Sequence, residues 1–196
     1  GNLMALAIAR HRAFPKLKQA GLFQQPRLIA FVSAESHYSF DKAVQLLGIG
    51  SDNLWKVPAD ADGKMDVSAL KDLISKARYQ GAEPFFVAGT AGTTVRGAYD
   101  PLDKIAAIAR QENLWFHVDG AWGASVLLSP THRALMKGVE QADSVVWDAH
   151  KMMGMTLICS MLVVNQRGAM MSTFSAKGTE YIFHDSEEDP TDLGPS

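Results

Sequence analysis

Two short runs, Pro-Phe-Phe-Val-Ala at residues 84–88 and Leu-Trp-Phe-His-Val at 114–118, decide how this 196-residue chain is read. Both are apolar at nearly every consecutive position, where a strand with one wet face would alternate. Such runs belong to parallel strands buried on both faces, and parallel strands need a long crossover between them. The intervening sequence supplies one, since residues 102–112 carry helical periodicity. The same rhythm extends outward. Further β-rich runs sit at 28–32, 54–57, 144–147 and 157–164, and helical patterns at 2–14, 40–47, 67–80 and 131–137. Strand, helix, strand in this order predicts an α/β fold, a mostly parallel open sheet flanked by helices.

In such sheets ligands bind beyond the carboxyl ends of the strands. Four polar clusters follow the apolar runs: Ser-Ala-Glu-Ser-His at 33–37, Gly-Thr-Ala-Gly-Thr-Thr at 89–94, Asp119, and Asp148 with His150 and Lys151. Each alone is what any strand end carries, because loops are polar. Together they converge on one edge of the sheet.

Asp119 ends an apolar run and precedes a small-residue turn that leaves room for a flat ligand. A carboxylate there needs a partner to keep its charge: a protonated pyridine nitrogen, an arginine or a helix N-terminus would serve. Lys151 follows Val-Val-Trp-Asp-Ala-His and precedes Met-Met-Gly-Met. An apolar setting disfavours the ammonium and makes the amine a nucleophile, unless the side chain snorkels to water. Placed on successive strand ends, the acid and the amine together fit a lysine-bound pyridinium cofactor.

Composition narrows the alternatives. Nineteen Lys plus Arg against 21 Asp plus Glu give a net charge of −2, which excludes a module held to nucleic acid or a membrane surface by bulk charge. A hydrophobic fraction of 47% is enough for a core. The single cysteine, Cys159, rules out an internal disulfide and makes a reducing, cytoplasmic location the expectation. No apolar run approaches the length of a membrane span. The loop at 89–94 lacks both the dinucleotide Gly-x-Gly-x-x-Gly pattern and the Gly-Lys-Ser/Thr of a phosphate-binding loop.

The motifs, in order, resemble one family. The Asn-Leu-Met-Ala-Leu helix from Asn2, SAESHYSFDKA at 33–43, GTAGTTVRGAYDPL at 89–102, HVDGAWGA at 117–124 and SVVWDAHKMMGMTLICS at 144–160 are similar to the group II pyridoxal 5'-phosphate-dependent amino acid decarboxylases. This resemblance covers essentially the whole chain. It implies the large domain of a fold type I pyridoxal phosphate enzyme, with Lys151 holding the cofactor as a Schiff base and Asp119 pairing with the ring nitrogen. It further implies His37 against the ring, Thr94 near its phenolic oxygen and Ala121 beneath it. His150 would then help to hold the phosphate, with Asn2 closing a phosphate loop. The expected reaction is loss of carbon dioxide from an amino acid, with a homodimer as the working unit and neither nucleic acid nor membrane as partner.

Two departures stand out: Gly120 where the family usually has Ala, and Asp148-Ala149 where it commonly has Asn-Pro. Trp122 and the stretch 150–160 resemble the glutamate, aspartate and cysteine sulfinate branch, since the aromatic branch tends to have Tyr in place of Trp122. The helix opening at residue 2 and the acidic, proline-bearing stretch 184–196 read as the ends of a piece cut from a longer chain. The expected domain is therefore 1–196, an incomplete cofactor domain that lacks an N-terminal segment and a C-terminal domain. Two other readings stay open: another fold type I enzyme such as an aminotransferase or lyase, or a truncated product without catalysis.

Overall fold

The computed structural model describes residues 1–23 and 25–175. The acidic stretch 184–196 lies outside them. The described chain folds as α1 (Asn2–Ala13), α2 (Leu17–Ala20), β1 (Leu28–Ser33), α3 (Ser39–Leu46), β2 (Leu54–Val57) and α4 (Val67–Tyr79). It continues as β3 (Glu83–Thr90), α5 (Leu102–Glu112), β4 (Trp115–Asp119), β5 (Ser144–Asp148), β6 (Ser160–Val164) and α6 (Ala169–Phe174). One six-stranded sheet runs in the order β2-β1-β3-β4-β5-β6. The first five strands are parallel, and β6 pairs with β5 in the opposite sense.

Strand alternation sorts the apolar side chains to two cores. Ile29, Phe31, Val87, Phe116 and Val118 face α4 and α5, packing with Leu70, Ile74 and Ile105. Their neighbours Leu28, Ala30, Val32, Phe86, Ala88 and Trp115 face α1 and α3, packing with Leu6, Ile8, Phe40 and Val44. Both faces are thus buried, the reason that these strands read as unbroken apolar runs. Local signals end the helices. Asp66 caps α4 by accepting from the Ser68 and Ala69 amides, and Asn113 closes α5 in the left-handed region at φ 55°.

The expected helix at 131–137 is instead a short 3-10 turn, Arg133–Met136. Of that segment only Met136 is buried, so no apolar face exists to reward a longer helix, and Gly138 at φ 99° turns the chain away. The expected strand at 157–164 begins only at Ser160, with Leu157 and Ile158 exposed. No helix among the described residues is long and apolar enough to cross a membrane.

Candidate active site

Because β1, β3, β4 and β5 are parallel, their carboxyl ends open on one edge of the sheet. There the structure forms a cleft of about 200 Å³. Six of the seven residues singled out from the sequence line it together: Asn2, His37, Thr94, Asp119, Ala121 and Lys151. Sequence reasoning did not place Ser39, Thr90, Trp122, Val146 or Ser160 there, yet these line it too, as does Asp148.

Asp119 is 5% exposed and finds its partners inside the chain. Oδ2 accepts from the Asn2 amide Nδ2 at 2.7 Å, and Oδ1 accepts from the Ala121 backbone N–H at 3.2 Å. Each carboxylate oxygen keeps further lone-pair capacity. Asn2 donates its second amide hydrogen to Ser39 Oγ at 2.9 Å, and its Oδ1 lies 3.0 Å from His117 Nε2. Every side-chain polar atom of Asn2 is therefore committed, so a contact from this residue to an anion falls to its backbone N–H at the start of α1. His117 itself is fully buried, and desolvation pushes its imidazole down to about 4 against the opposing pull of Asp119.

Lys151 is the amine of the cleft. It follows β5 by three residues, its side chain is 40% exposed, and Nζ stands 3.1 Å from Asp148 Oδ2. The apolar, desolvated setting expected from Met152 and Met153 is absent, since both methionines face solvent. Burial pushes the Asp148 carboxyl up, but the Ser160 hydroxyl and the Lys151 ammonium outweigh it and hold that group below its ordinary range. His150 does not reach the cleft. Its ring turns to the backbone of Cys159, with Nδ1 2.9 Å from the carbonyl oxygen and 3.2 Å from the amide nitrogen.

His37 Nδ1 accepts the Ser39 backbone N–H at 3.3 Å, which leaves the proton of the neutral ring on Nε2. Thr94 sits exposed on the loop after β3, and the base of that loop is clamped by Asp100. Asp100 accepts from the Met65 and Thr90 backbone amides, each at 2.7 Å, while burial pushes its carboxyl up to about 6. Next to it, Thr90 Oγ1 is buried without a protein partner and belongs to a residue of the cleft lining.

These features fit pyridoxal phosphate. An acid with lone pairs to spare, an accessible primary amine, a flat imidazole and an unpartnered buried hydroxyl meet in one narrow cleft. The N-terminus of α1, where backbone N–H groups favour an anion, lies at the same place. Fold and site together define the cofactor domain of a fold type I pyridoxal phosphate enzyme.

The chain belongs to the pyridoxal-dependent decarboxylase family, matching its conserved domain over residues 1–194. It is 47% identical over 183 residues to the acidic amino acid decarboxylase GADL1 of Mus musculus, covering 93% of this chain and 33% of that protein. The cysteine sulfinic acid decarboxylase of Rattus norvegicus is 44% identical over 182 residues, which cover 93% of this chain and 37% of that one. The crystal structure of mouse CSAD in apo form superposes with a TM-score of 0.88 at 43% identity, over 90% of this chain and 38% of that chain. That of Oryza sativa TDC with PLP and tryptamine gives 0.85 at 29%, over 93% and 37%. The chain spans about a third of the length of these curated relatives.

Proposed function

We propose that this chain supplies the cofactor-binding centre of a pyridoxal phosphate-dependent decarboxylase acting on an acidic amino acid: glutamate, aspartate or cysteine sulfinate. The observation that carries the reading is the shared cleft of Asp119, Lys151 and His37 at the carboxyl ends of β4, β5 and β1. Pyridoxal phosphate, when bound, supplies an aldehyde that condenses with primary amines and a ring that accepts the electron pair left by departing carbon dioxide. Lys151 provides the amine that anchors it, and Asp148 orients Nζ through the 3.1 Å ion pair. Asp119 provides the negative charge that keeps a proton on a ring nitrogen. Buried and held by Asn2 and the Ala121 amide, it does so without reorganising. His37 contributes a flat ring and an Nε2–H donor, and Thr94 a hydroxyl at the rim. His150, turned away to Cys159, is left out of this set.

The acidic preference is supported by the names of the relatives and by Trp122 in the cleft wall. A homodimer is the working unit in this reading. Release of labelled carbon dioxide from carboxyl-labelled glutamate, aspartate, cysteine sulfinate and an aromatic amino acid tests it. Release from at least one acid and none from the aromatic substrate is expected. Formation of a keto acid without gas would move the chain to the aminotransferases and refute the proposal.

A further inference from the structure

Behind Asp119 runs a line of buried polar groups that neither the fold nor cofactor anchoring accounts for. Trp115 Nε1 lies 2.8 Å from Ser144 Oγ, Ser144 Oγ 2.8 Å from His117 Nδ1, and His117 Nε2 3.0 Å from Asn2 Oδ1. Asn2 Nδ2 then reaches the Asp119 carboxylate at 2.7 Å. Trp115, His117 and Asp119 alternate along β4 and so share its α1 face, while Asn2 opens α1 and Ser144 opens β5.

The polarity of this line is fixed from the Asp119 end. A carboxylate only accepts, so Asn2 must present its amide to Asp119 and its carbonyl to His117 Nε2, which puts a ring proton on that nitrogen. In the neutral ring Nδ1 then carries the lone pair and accepts the Ser144 hydroxyl, whose oxygen accepts in turn from the Trp115 indole N–H. The full burial of the ring opposes the charge of a doubly protonated imidazole.

We propose that His117, neutral with its proton on Nε2, is the positioning residue that holds the Asn2 side chain amide-first against the Asp119 carboxylate. An asparagine is nearly symmetric in shape, so packing does not choose between its two orientations; hydrogen bonding does. The flipped orientation would set a carbonyl oxygen 2.7 Å from a carboxylate oxygen and push the acid out of place. His117 acts through Asn2 and touches neither cofactor nor substrate, and the Asn2 carbonyl facing Nε2 sets which of its nitrogens carries the proton. The meaning for catalysis rests on Asp119 being the ring-nitrogen acid, but the relay is measurable without cofactor or turnover.

The test is nuclear magnetic resonance on the protein labelled with nitrogen-15 at histidine and asparagine, with the variants His117→Gln and His117→Phe. In the unsubstituted protein the His117 proton sits on Nε2 at neutral pH. Glutamine replaces both hydrogen bonds and leaves solvent exchange of the Asn2 side-chain amide near its original rate. Phenylalanine fills the space without a donor and speeds that exchange about tenfold. A proton found on Nδ1, or equal exchange in the two variants, overturns the proposal. If the phenylalanine variant does not fold, the proton position in the unsubstituted protein still decides. Absence of decarboxylation, by contrast, would refute the proposed function and leave these readings untouched.

Discussion

Lowering the pH should remove a stabilising contribution that His117 makes, and substitution by glutamine should abolish the effect. In the native state the imidazole titrates at about 4, and in the unfolded chain near the ordinary value of 6.5. Between those values the unfolded chain holds one more proton than the native one, so unfolding free energy rises with pH across the window. The contribution is complete above 6.5 and is lost as the pH falls towards 4. At ~1.4 kcal/mol per pH unit, it amounts to about 3 kcal/mol. Asp100 works in the opposite direction. Its native carboxyl keeps a proton up to about 6 against an ordinary 3.8, so its contribution is present below 3.8 and disappears as the pH rises to 6. By the same conversion that is about 3 kcal/mol of opposite sign. The parent protein alone therefore shows a shallow profile, and the informative quantity is its difference from His117→Gln, in which the Asp100 contribution cancels. Urea unfolding followed by the fluorescence of buried Trp115, from pH 7 to pH 4, measures it. The stability of the parent relative to the variant should fall by about 3 kcal/mol over this range. A difference that stays level across the window would show that the native imidazole titrates normally and would refute the reasoning.

Other perturbations have outcomes set by the geometry. A Cβ on Gly120 would stand 2.7 Å from the Ala124 Cβ, so Gly120→Ala should destabilise by ~1–3 kcal/mol in chemical denaturation. Adding Ala124→Gly should recover most of that loss, and strict additivity of the two changes would contradict the contact. Asp100→Ala strips the acceptor from two buried amides at Met65 and Thr90, with an expected cost of ~2–6 kcal/mol. Faster hydrogen exchange at those two amides in folded protein would confirm the cause. Asp119→Ala should reduce turnover at least about a hundredfold while the far-ultraviolet circular dichroism stays native. Near-normal turnover would remove this acid from the mechanism.

Much of this was legible in the sequence because burial leaves a mark on composition. Strands β1 to β5 stood out as apolar runs because the sheet is covered on both faces, and Asp119 and Lys151 were visible as polar residues placed just beyond two of those runs. What stayed hidden depends on contacts across the fold. The side-chain partners of Asn2, His117 and Asp119, lie 115 and 117 positions away. His117 carries a readable signal of its own: a histidine inside an apolar strand, in phase with the acid two residues on, must share its face. The loss of the expected helix at 131–137 follows from exposure, which periodicity does not report. The Ser160 hydroxyl on Asp148, with the turn of His150 towards Cys159, arises from the antiparallel return of β6, a pairing that no local pattern encodes.

The central claim is that Lys151 and Asp119 grip one pyridoxal phosphate between them. Incubating the protein with pyridoxal phosphate, reducing with borohydride and mapping the modified peptide by mass spectrometry tests this most directly. The account predicts that the reduced cofactor is attached at Lys151, and that Asp119→Ala protein takes up markedly less. Attachment at another lysine, or no stable attachment at all, would contradict it.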